Sequence, residues 1–495
     1  MSRQSFVRGA ILLSAASLLS KALSAVFKIP LDRFFIGAEG IAIYQSAYTI
    51  FNWMLAVGGT GIPMAVSNLV ADSDEETAAG IRSSALWLVT GAGVIIGGLL
   101  FIFAGPVAAF IAGDAPAFYA IRVMAPAIAF LGIVSAYRGY FQGRGNMLPS
   151  AVSQIADSFC KAGVGLGVCA LLVSRGNRIA AAGAMSGVTV GTILGACVLL
   201  AAGRKYITVR RPPSAELMRK IVMLSIPVTL GAAGFACVML SDTLTVQNIL
   251  TRSGFSPAES EAQFGYLTRA FMVYNLPAAL ISAVTVSVAP ASAEAFRRDD
   301  RELLHRNAVS AVKIIMFVSV PCMLGVVSFP KEILELLYKG GAHSEPLVFT
   351  GILMLLIPFT QVLSGILQAT GCVWKPIGLL GLTVGVKTVL NFILIPEMGV
   401  MGAPFATVIA YGMACVAFIY LFRRHMGFGF PVGVLLRPVL AAAVGVLCGK
   451  GVYALKSTAL GFLAAVTVTA AVYLVLAVLL KAVDISMIKR DKNGK

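Results

Sequence analysis

The sequence predicts an all-α polytopic membrane protein with about fourteen transmembrane helices. Apolar stretches recur along the chain, and each approaches the roughly 20 residues that a helix needs to cross ~30 Å of hydrocarbon. Hydrophobic residues make up 58% of the 495 residues and charged residues only 12%, whereas a soluble domain carries about 25% charged residues. Together with a mean hydropathy of +0.89, this composition excludes the soluble classes. Helix is predicted because isolated strands cannot satisfy their backbone hydrogen bonds in lipid.

The predicted spans follow the apolar stretches, and in chain order they lie near residues 7–30, 41–70, 84–111, 120–141, 149–173, 179–202, 219–246, 265–291, 308–329, 347–371, 376–395, 399–422, 433–453 and 458–481. The first apolar run continues past Lys21 to Pro30 without a clear cleavage site, so we expect a retained helix rather than a cleaved leader. Prolines inside the spans predict kinks or breaks at Pro63, Pro126, Pro227, Pro277, Pro321 and Pro358.

Basic residues in the connecting loops predict the orientation of the chain. If the N-terminus is cytoplasmic, 22 loop and tail cations face the cytoplasm and 8 face outward, which is the asymmetry that the positive-inside rule describes. We therefore expect both termini in the cytoplasm. The same loop clusters account for the net charge of +17, so nucleic acid is not an expected partner.

An internal repeat predicts how the chain is organised. The segment Arg138–Gln142 with Gly145 matches Ser364–Gln368 with Gly371 at an offset of 226 residues. Two pseudo-symmetric six-helix lobes and two additional helices with a cytoplasmic tail are expected, over residues 1–210, 211–425 and 426–495. Because six is an even number, both lobes enter the membrane in the same sense. This predicts a parallel repeat with the binding site at the lobe interface.

One segment carries a family resemblance. The stretch Arg138–Gln154, Arg-Gly-Tyr-Phe-Gln-Gly-Arg-Gly-Asn-Met-Leu-Pro-Ser-Ala-Val-Ser-Gln, resembles the signature of the SpoVB/YtgP-type, MurJ-like flippases of the multidrug/oligosaccharidyl-lipid/polysaccharide exporter superfamily. Ile36–Gln45, Gly61–Ser67 and Tyr274–Leu280 support the resemblance, which covers essentially the whole chain. It implies a multi-pass protein of the bacterial cytoplasmic membrane that exports an undecaprenyl-pyrophosphate-linked precursor by alternating access, with lipid II as the expected substrate.

Cations inside the spans are the candidate substrate ligands. A charge in the hydrocarbon region costs at least ~2.5 to 3.5 kcal/mol on insertion scales, so it usually faces a cavity or a partner. The candidates are Lys21, Lys28, Arg138, Lys161, Arg269 and Lys387. The resemblance implies that Lys21 and Arg269 occupy basic positions of the family, with Lys21 standing where the family has an arginine. A lysine there offers a point charge instead of a bidentate fork.

Several of these candidates also have a structural explanation. Lys28 lies near the outer end of its span and can extend to the surface. Asp157 precedes Lys161 by one turn, which is the favourable order for an ion pair within a helix. Lys387 has no carboxylate at the matching position, so it is the better cavity candidate of the repeat-related pair. Asp242 is expected either to couple an ion or to pair with a nearby base.

Enzyme signatures are absent from the sequence. It contains no Walker loop, no paired catalytic carboxylates and no zinc-ligand spacing, so we expect no catalytic residue, no metal site and no cofactor. The expected partners are a polyprenyl-pyrophosphate-linked saccharide, membrane lipids and a coupling ion of unassigned identity. Three alternatives stay open: an exporter of another polyprenyl-linked unit, a multidrug/cation antiporter of the same superfamily, which needs cavity carboxylates, and a non-transporting scaffold for wall synthesis, in which the interior charges are dispensable.

Overall fold

In the computed structural model of the protein, the described residues are 3–112, 115–206, 209, 211–338, 343–455 and 457–480. Within these ranges the regular secondary structure is helical and includes no strand. The helices are α1 (Arg3–Val26), α2 (Lys28–Pro30), α3 (Gly37–Gly59), α4 (Gly61–Ala71), α5 (Glu75–Ile102), α6 (Ala104–Ala112), α7 (Phe118–Gly143), α8 (Leu148–Leu172), α9 (Asn177–Tyr206), α10 (Ala215–Arg252), α11 (Pro257–Arg297), α12 (Arg301–Ser328), α13 (Pro330–Tyr338), α14 (Glu345–Ala369), α15 (Trp374–Met398), α16 (Gly402–Met426), α17 (Val432–Leu455) and α18 (Ala459–Leu479).

Short π-helical and 3-10 segments connect some of these helices. A π-helical segment, Leu31–Ile36, joins α2 to α3, and single 3-10 turns follow α8 and α15 at Val173–Arg175 and Gly399–Met401. A π-helical turn accommodates an extra residue and is frequent at functional sites. Here it continues the chain through a region that the sequence predicts as a loop between the first two spans.

The length and composition of the helices confirm the predicted fold class. Among the described residues, eleven stretches are long and apolar enough to cross a membrane. Two of them are composite, since Leu12–Ala71 extends from α1 to α4 and Trp374–Met426 contains α15 and α16. Large apolar side chains such as Leu171 and Val416 are 79% and 70% exposed, as expected where a helix faces lipid. The number of fourteen crossings stays a prediction.

The chain divides into two compact units, and the first contains Met1–Thr268 and Thr388–Val400. Within it α8 packs along α9, α7 packs against α5 and α9, and α10 packs against α3 and α4. Its apolar core includes Val66, Ile81 and Phe141. Helix α10, which the predicted repeat assigns to the second lobe, is therefore part of the first unit.

The second unit contains Arg269–Lys387 and Met401–Lys495. Helix α12 packs against α14 and α17, α14 packs against α16, and α17 pairs with α18. Phe329 forms a core cluster with Val446 of α17 and Phe462 of α18. The lobes predicted over 1–210 and 211–425 describe the repeat rather than these units, so that division stays a prediction, and the end of the predicted cytoplasmic tail lies outside the described residues.

The helices are not broken at most of the prolines for which a kink or a break is predicted, and kinks at these positions stay a prediction. Helices α7, α10, α12 and α14 continue through Pro126, Pro227, Pro321 and Pro358, and Pro277 lies within the bounds of α11. The break expected at Pro63 lies instead at Thr60, between α3 and α4. Pro63 is the third residue of α4, and in a first turn its missing N–H removes no intrahelical hydrogen bond.

Candidate functional site

Lys28 lies inside the first unit and is held by α3. Its side chain is 6% exposed, and its Nζ donates to Gln45 Oε1 at 3.2 Å. The same ammonium lies 4.1 Å from the ring centroid of Tyr48. Gln45 is fixed in turn because its Nε2 donates to Thr49 Oγ1 at 3.0 Å. A desolvated ammonium over an aromatic face gains about 2 kcal/mol or more, so α3 stabilises this buried charge.

Helix α3 presents aromatic rings beside Lys28. The rings of Tyr44 and Tyr48 stack with centroids 5.4 Å apart and an interplanar angle of 17°. Tyr48 also contacts Phe51, whose ring lies 5.9 Å from Lys161 Nζ. Tyr44 and Phe51 are buried, whereas Tyr48 is half-buried. A row of aromatic side chains on α3 therefore extends from Lys28 to Lys161.

The intrahelical ion pair between Asp157 and Lys161 is present in α8. Lys161 Nζ lies 3.7 Å from Asp157 Oδ2, with side-chain exposures of 7% for the lysine and 23% for the aspartate. The predicted spacing of one turn therefore corresponds to an ion pair in the structure. Lys161 is consequently a partly neutralised cation rather than an isolated one.

Glycines of α9 allow that helix to approach the ion pair closely. Gly187, Gly191 and Gly195 are four residues apart and share one face of α9. A Cβ built at Gly191 would lie 2.8 Å from Asp157 Oδ1, and one built at Gly187 would lie 2.6 Å from the backbone N of Gly165. Small residues at this spacing are typical of closely packed membrane helices. The glycine face therefore holds Asp157 against the backbone of α9.

Arg138 extends from α7 to α8. Its Nε donates to Ser153 Oγ at 3.0 Å, and Ser153 Oγ donates to the carbonyl of Ser150 at 2.9 Å. Ser17 Oγ of α1 donates to Gln154 Oε1 at 2.8 Å, so α1 contacts α8 beside the same turn. Lys21, one turn after Ser17, is exposed.

Four charged side chains of the first unit form what we call the interior charge cluster: Lys28, Arg138, Asp157 and Lys161. Their charges interact electrostatically, Lys28 with Lys161, and Lys161 with both Asp157 and Arg138. Three cations and one carboxylate leave the cluster with a formal positive charge of two. The structure thus brings together three of the six predicted cations with one of the two predicted carboxylates.

Of the other three predicted cations, Lys21 belongs to the first unit, and Arg269 and Lys387 belong to the second. The guanidinium carbon of Arg269 lies 5.6 Å from the ring centroid of Tyr338, and the Tyr338 hydroxyl contacts Met272 Sδ at 3.5 Å. Lys387 is fully buried at 0% exposure. Their roles in substrate binding stay predictions.

Asp242 occupies a polar network in the first unit. The carboxylate is 3% exposed, and Asn391 Nδ2 donates to Asp242 Oδ1 and to Thr245 Oγ1, each at 3.0 Å. The Ser241 and Thr388 hydroxyls, which lie one residue before Asp242 and three before Asn391, are 2.8 Å apart. This network joins α10 to the end of α15, and Asn391 is a member that the sequence analysis missed.

Other missed residues differ in how visible they are in the sequence. Gln45, Tyr48 and Asn391 are uncharged, and such residues occur in membrane helices for many reasons. Asp32 carries a clearer signal, because a carboxylate four residues after Lys28 falls on the same face if the helix continues. It lies in the π-helical segment and is 2% exposed.

Metal ligation finds no support in the part of the chain that the structure describes. No group of three or more His, Cys, Asp or Glu side chains there could hold a metal ion.

Comparisons with known proteins agree with the predicted resemblance. A sequence family described as "Polysaccharide biosynthesis protein" matches residues 6–296. Stage V sporulation protein B of Bacillus subtilis (strain 168) is 25% identical over 99% of this chain and 98% of its own length. Lipid II flippase MurJ of the same organism is 25% identical over 89% of this chain and 87% of its own.

A solved structure shares the fold. Lipid II flippase MurJ in an inward closed conformation superposes with a TM-score of 0.72 at 15% identity, covering 96% of this chain and 98% of the other. At this identity the likeness establishes the fold. Because the family match covers more than half of the 495 residues, the chain belongs to the polysaccharide biosynthesis protein family and is a multi-pass membrane protein with the fold of a flippase.

Proposed function

We propose that the protein carries a polyprenyl-pyrophosphate-linked saccharide across the bacterial cytoplasmic membrane, with lipid II as the first candidate. The observation that carries this proposal is the interior charge cluster with its formal positive charge of two. A pyrophosphate that is esterified at both ends carries two negative charges at neutral pH. The cluster would therefore neutralise such a head group.

The chemistry of the cluster suits a pyrophosphate. Lys28 and Lys161 supply point charges, and the Arg138 guanidinium supplies several donors in a planar fork. Charge-assisted hydrogen bonds to phosphate oxygens are about twice as strong as neutral ones, and the attraction is larger in a partly dehydrated interior than in water. The half-buried Gln45 and Gln154 add polar groups for the hydroxyls of a sugar.

Positive charge also argues against the antiporter alternative. A pump for cationic drugs needs a cavity with excess carboxylates, whereas Asp157 is already paired with Lys161. The sequence similarity to a stage V sporulation protein and to a lipid II flippase supports a lipid-linked saccharide as the substrate class. We propose Asp242, with Asn391 and Thr245 around it, as the place where an ion couples to transport.

Complementation of a strain depleted of its lipid II flippase tests the proposal. We expect the wild-type chain to restore growth and lipid II export, and Lys28→Met or Arg138→Met to abolish both at normal protein levels. Lys28→Arg should retain much of the activity because the charge remains. Lys313→Ala is the matched control, since Lys313 lies in α12 outside the cluster, and it should be nearly silent.

Lys21 is tested separately from the cluster because its side chain is exposed. We expect Lys21→Ala to abolish export and Lys21→Arg to preserve it if this lysine meets the head group. Normal export by the Lys28→Met and Arg138→Met variants would contradict the cluster as the binding site. The wild-type chain could fail to replace the lipid II flippase and yet export another polyprenyl-linked unit. In that case the proposed saccharide is wrong and the proposed transport mechanism holds.

A further inference from the structure

The ion pair between Asp157 and Lys161 sets one cation of the interior charge cluster apart from the other two. Lys28 is held by uncharged groups, an amide oxygen and an aromatic ring, and the Arg138 Nε donates to a hydroxyl. Lys161 Nζ instead lies 3.7 Å from a carboxylate oxygen of Asp157. Of the three cluster cations, Lys161 is therefore the one that already has an anion beside it.

The charge of Asp157 acts on more than one cation. It interacts electrostatically with Lys161 and with Arg138. The Asp157 side chain is 23% exposed, so its charge is also felt by a ligand that enters the cluster. Because like charges repel strongly in a partly dehydrated site, a carboxylate that attracts two cations opposes an anion that approaches the same two cations.

Packing fixes the carboxylate of the pair but not the ammonium. A Cβ built at Gly191 would lie 2.8 Å from Asp157 Oδ1, so α9 lies directly against this short side chain. Lys161 carries its charge on a flexible four-carbon stem. Its distance of 3.7 Å from Asp157 Oδ2 also exceeds the about 2.7–2.9 Å of a tight charge-assisted hydrogen bond. When the pair opens, it is therefore the ammonium that moves.

The Asp157 carboxylate depends on the ammonium that pairs with it. Its Oδ1 is buried and has no hydrogen-bond partner among the residues that the structure describes. A buried charge is unfavourable unless it is paired. Departure of the Lys161 ammonium takes away the cation that lies within 4 Å of the carboxylate, so the ion pair forms again when the site is empty.

We infer that Asp157 is an internal anion that competes with the pyrophosphate of the head group for Lys161 and Arg138, and that it thereby promotes release. In the empty protein Lys161 pairs with Asp157. In the loaded protein the ammonium turns to a phosphate oxygen, and after transport the carboxylate takes it back. Asp157 is thus a positioning residue rather than a ligand. The inference rests on the proposed function, because it requires a pyrophosphate at the interior charge cluster.

This role predicts a change in affinity that a structural role does not. Without the competing carboxylate, the full charge of both cations acts on the phosphates, so the head group binds more tightly and dissociates more slowly. An ion pair that serves only folding lowers Tm when it is lost, and the affinity of the folded protein stays the same. Affinity therefore distinguishes the two roles.

Equilibrium binding of a fluorescent lipid II analogue with a farnesyl chain, measured on the purified full-length protein, tests the inference. We expect Asp157→Asn to lower Kd by at least about tenfold, because repulsion between like charges in a binding site is strong, and to slow dissociation. Glu216→Gln is the matched control, since it neutralises the acid of an exposed ion pair of the same spacing, with Lys220 in α10. It should leave Kd unchanged.

A second background keeps the test decisive if Asp157→Asn unfolds. In a Lys161→Met variant the aspartate still acts on Arg138. Adding Asp157→Asn to that variant should again lower Kd, because it removes the competing charge. An equal or higher Kd for the double variant would show that Asp157 does not compete with the head group.

The other outcomes separate this inference from the proposed function. An unchanged Kd for Asp157→Asn means that the pair is structural, and a higher Kd means that the carboxylate helps to hold the head group. Either result overturns the inference, whereas weaker binding by Lys28→Met in the same assay keeps the proposed function. If the wild-type chain does not bind the analogue, the proposed function is wrong and the inference is wrong with it.

Discussion

Gly145 and Gly371 end repeat-related helices with the same backbone structure. Both have a left-handed backbone, with φ of 73° and 88°, and they are 226 residues apart. Their N–H groups bond to the carbonyls of Gln142 and Gln368, at 3.0 and 3.2 Å. The residues on either side of each glycine make matching hydrogen bonds at the same offset. The repeat is therefore visible in local structure within each unit separately.

The helices that follow these glycines match as well. Helices α8 and α15 each contain 25 residues, and both their first and their last residues differ by 226 positions. Lys161 and Lys387 consequently occupy the same place along the two helices. Their partners differ, since only Lys161 has a carboxylate one turn before it.

The first prediction concerns the left-handed glycine at Gly371. No atom lies within 4 Å of a Cβ built there, so substitution costs backbone strain rather than a clash. Gly371→Ala should destabilise the protein by about 1–2 kcal/mol, because an L-residue is strained in this conformation. The effect is measured as a lower Tm in detergent.

Two variants control this measurement. Gly371→Asn should lose less stability than Gly371→Ala, since asparagine tolerates the left-handed region better. Gly378→Ala lies inside α15 in equally open space, and there alanine should be neutral or stabilising because it favours helix. Equal losses for Gly371→Ala and Gly378→Ala would show that the sign of φ is not the cause.

Helix existence could be predicted from the sequence, whereas helix ends and breaks could be predicted only in part. Apolar length identifies membrane helices, and the paired glycines mark the ends of α7 and α14. A proline predicts a kink or a break without distinguishing the two, and the interruption between α3 and α4 lies at Thr60, three residues before Pro63. Leu31–Ile36 falls between the first two predicted spans, because nothing in its composition reveals that the chain continues there as a π-helix.

The residues of the candidate site could also be predicted only in part. Lys28, Arg138 and Lys161 are identifiable because an isolated cation in an apolar span is rare and needs a reason. Gln45 and Tyr48, which hold Lys28, could not be selected, because their type is ordinary in such helices. Which charges come together depends on how the helices pack, and this packing could not be predicted from a single sequence.

The second prediction concerns the glycine face of α9. A Cβ built at Gly187 would lie 2.6 Å from the Gly165 backbone N, and backbone cannot move aside as a flexible side chain can. Gly187→Ala should therefore force α8 and α9 apart and destabilise the protein by about 1–3 kcal/mol. Gly163→Ala, in α8 with nothing within 4 Å, should not lower Tm. Similar Tm values for both variants would contradict close packing at Gly187.

The segment that leads into α10 is fastened to the start of α5. Arg211 pairs with Glu76, Arg82 Nη2 donates to the Val209 carbonyl at 3.4 Å, and the Ser214 N–H donates to Ser84 Oγ at 2.9 Å. Ser84 is fully buried, and Ser214 is the residue before the first turn of α10. The contact through Ser84 therefore satisfies a backbone donor at the helix start.

The third prediction follows from that contact. Ser84→Ala should cost about 1 kcal/mol by leaving the Ser214 N–H without its acceptor, and it should loosen the basic segment between residues 204 and 220. Trypsin should then cut this segment faster than in the wild-type chain. Ser83→Ala is the control, because the Ser83 hydroxyl donates only to the Gly80 carbonyl of its own helix. Equal cutting rates for both variants would show that Ser84 does not hold the segment.

The last prediction separates structure from transport at the repeat-related lysines. Asp157→Asn keeps the size of the side chain beside Gly191 but leaves Lys161 as a buried cation without its ion pair, which typically costs about 3–5 kcal/mol. Adding Lys161→Met removes the stranded charge, so the double variant should recover most of the lost Tm. Lys387→Met should retain its Tm and lose export, because we expect that charge to serve the substrate. Thermal stability in detergent and export in the depleted strain are measured for all three variants. If Asp157→Asn and Lys387→Met lose equal stability, both lysines are structural, and Lys161 no longer belongs to the proposed binding site. The head group must then be bound by Lys28 and Arg138 of the cluster, with Lys21 and Arg269 as further candidates.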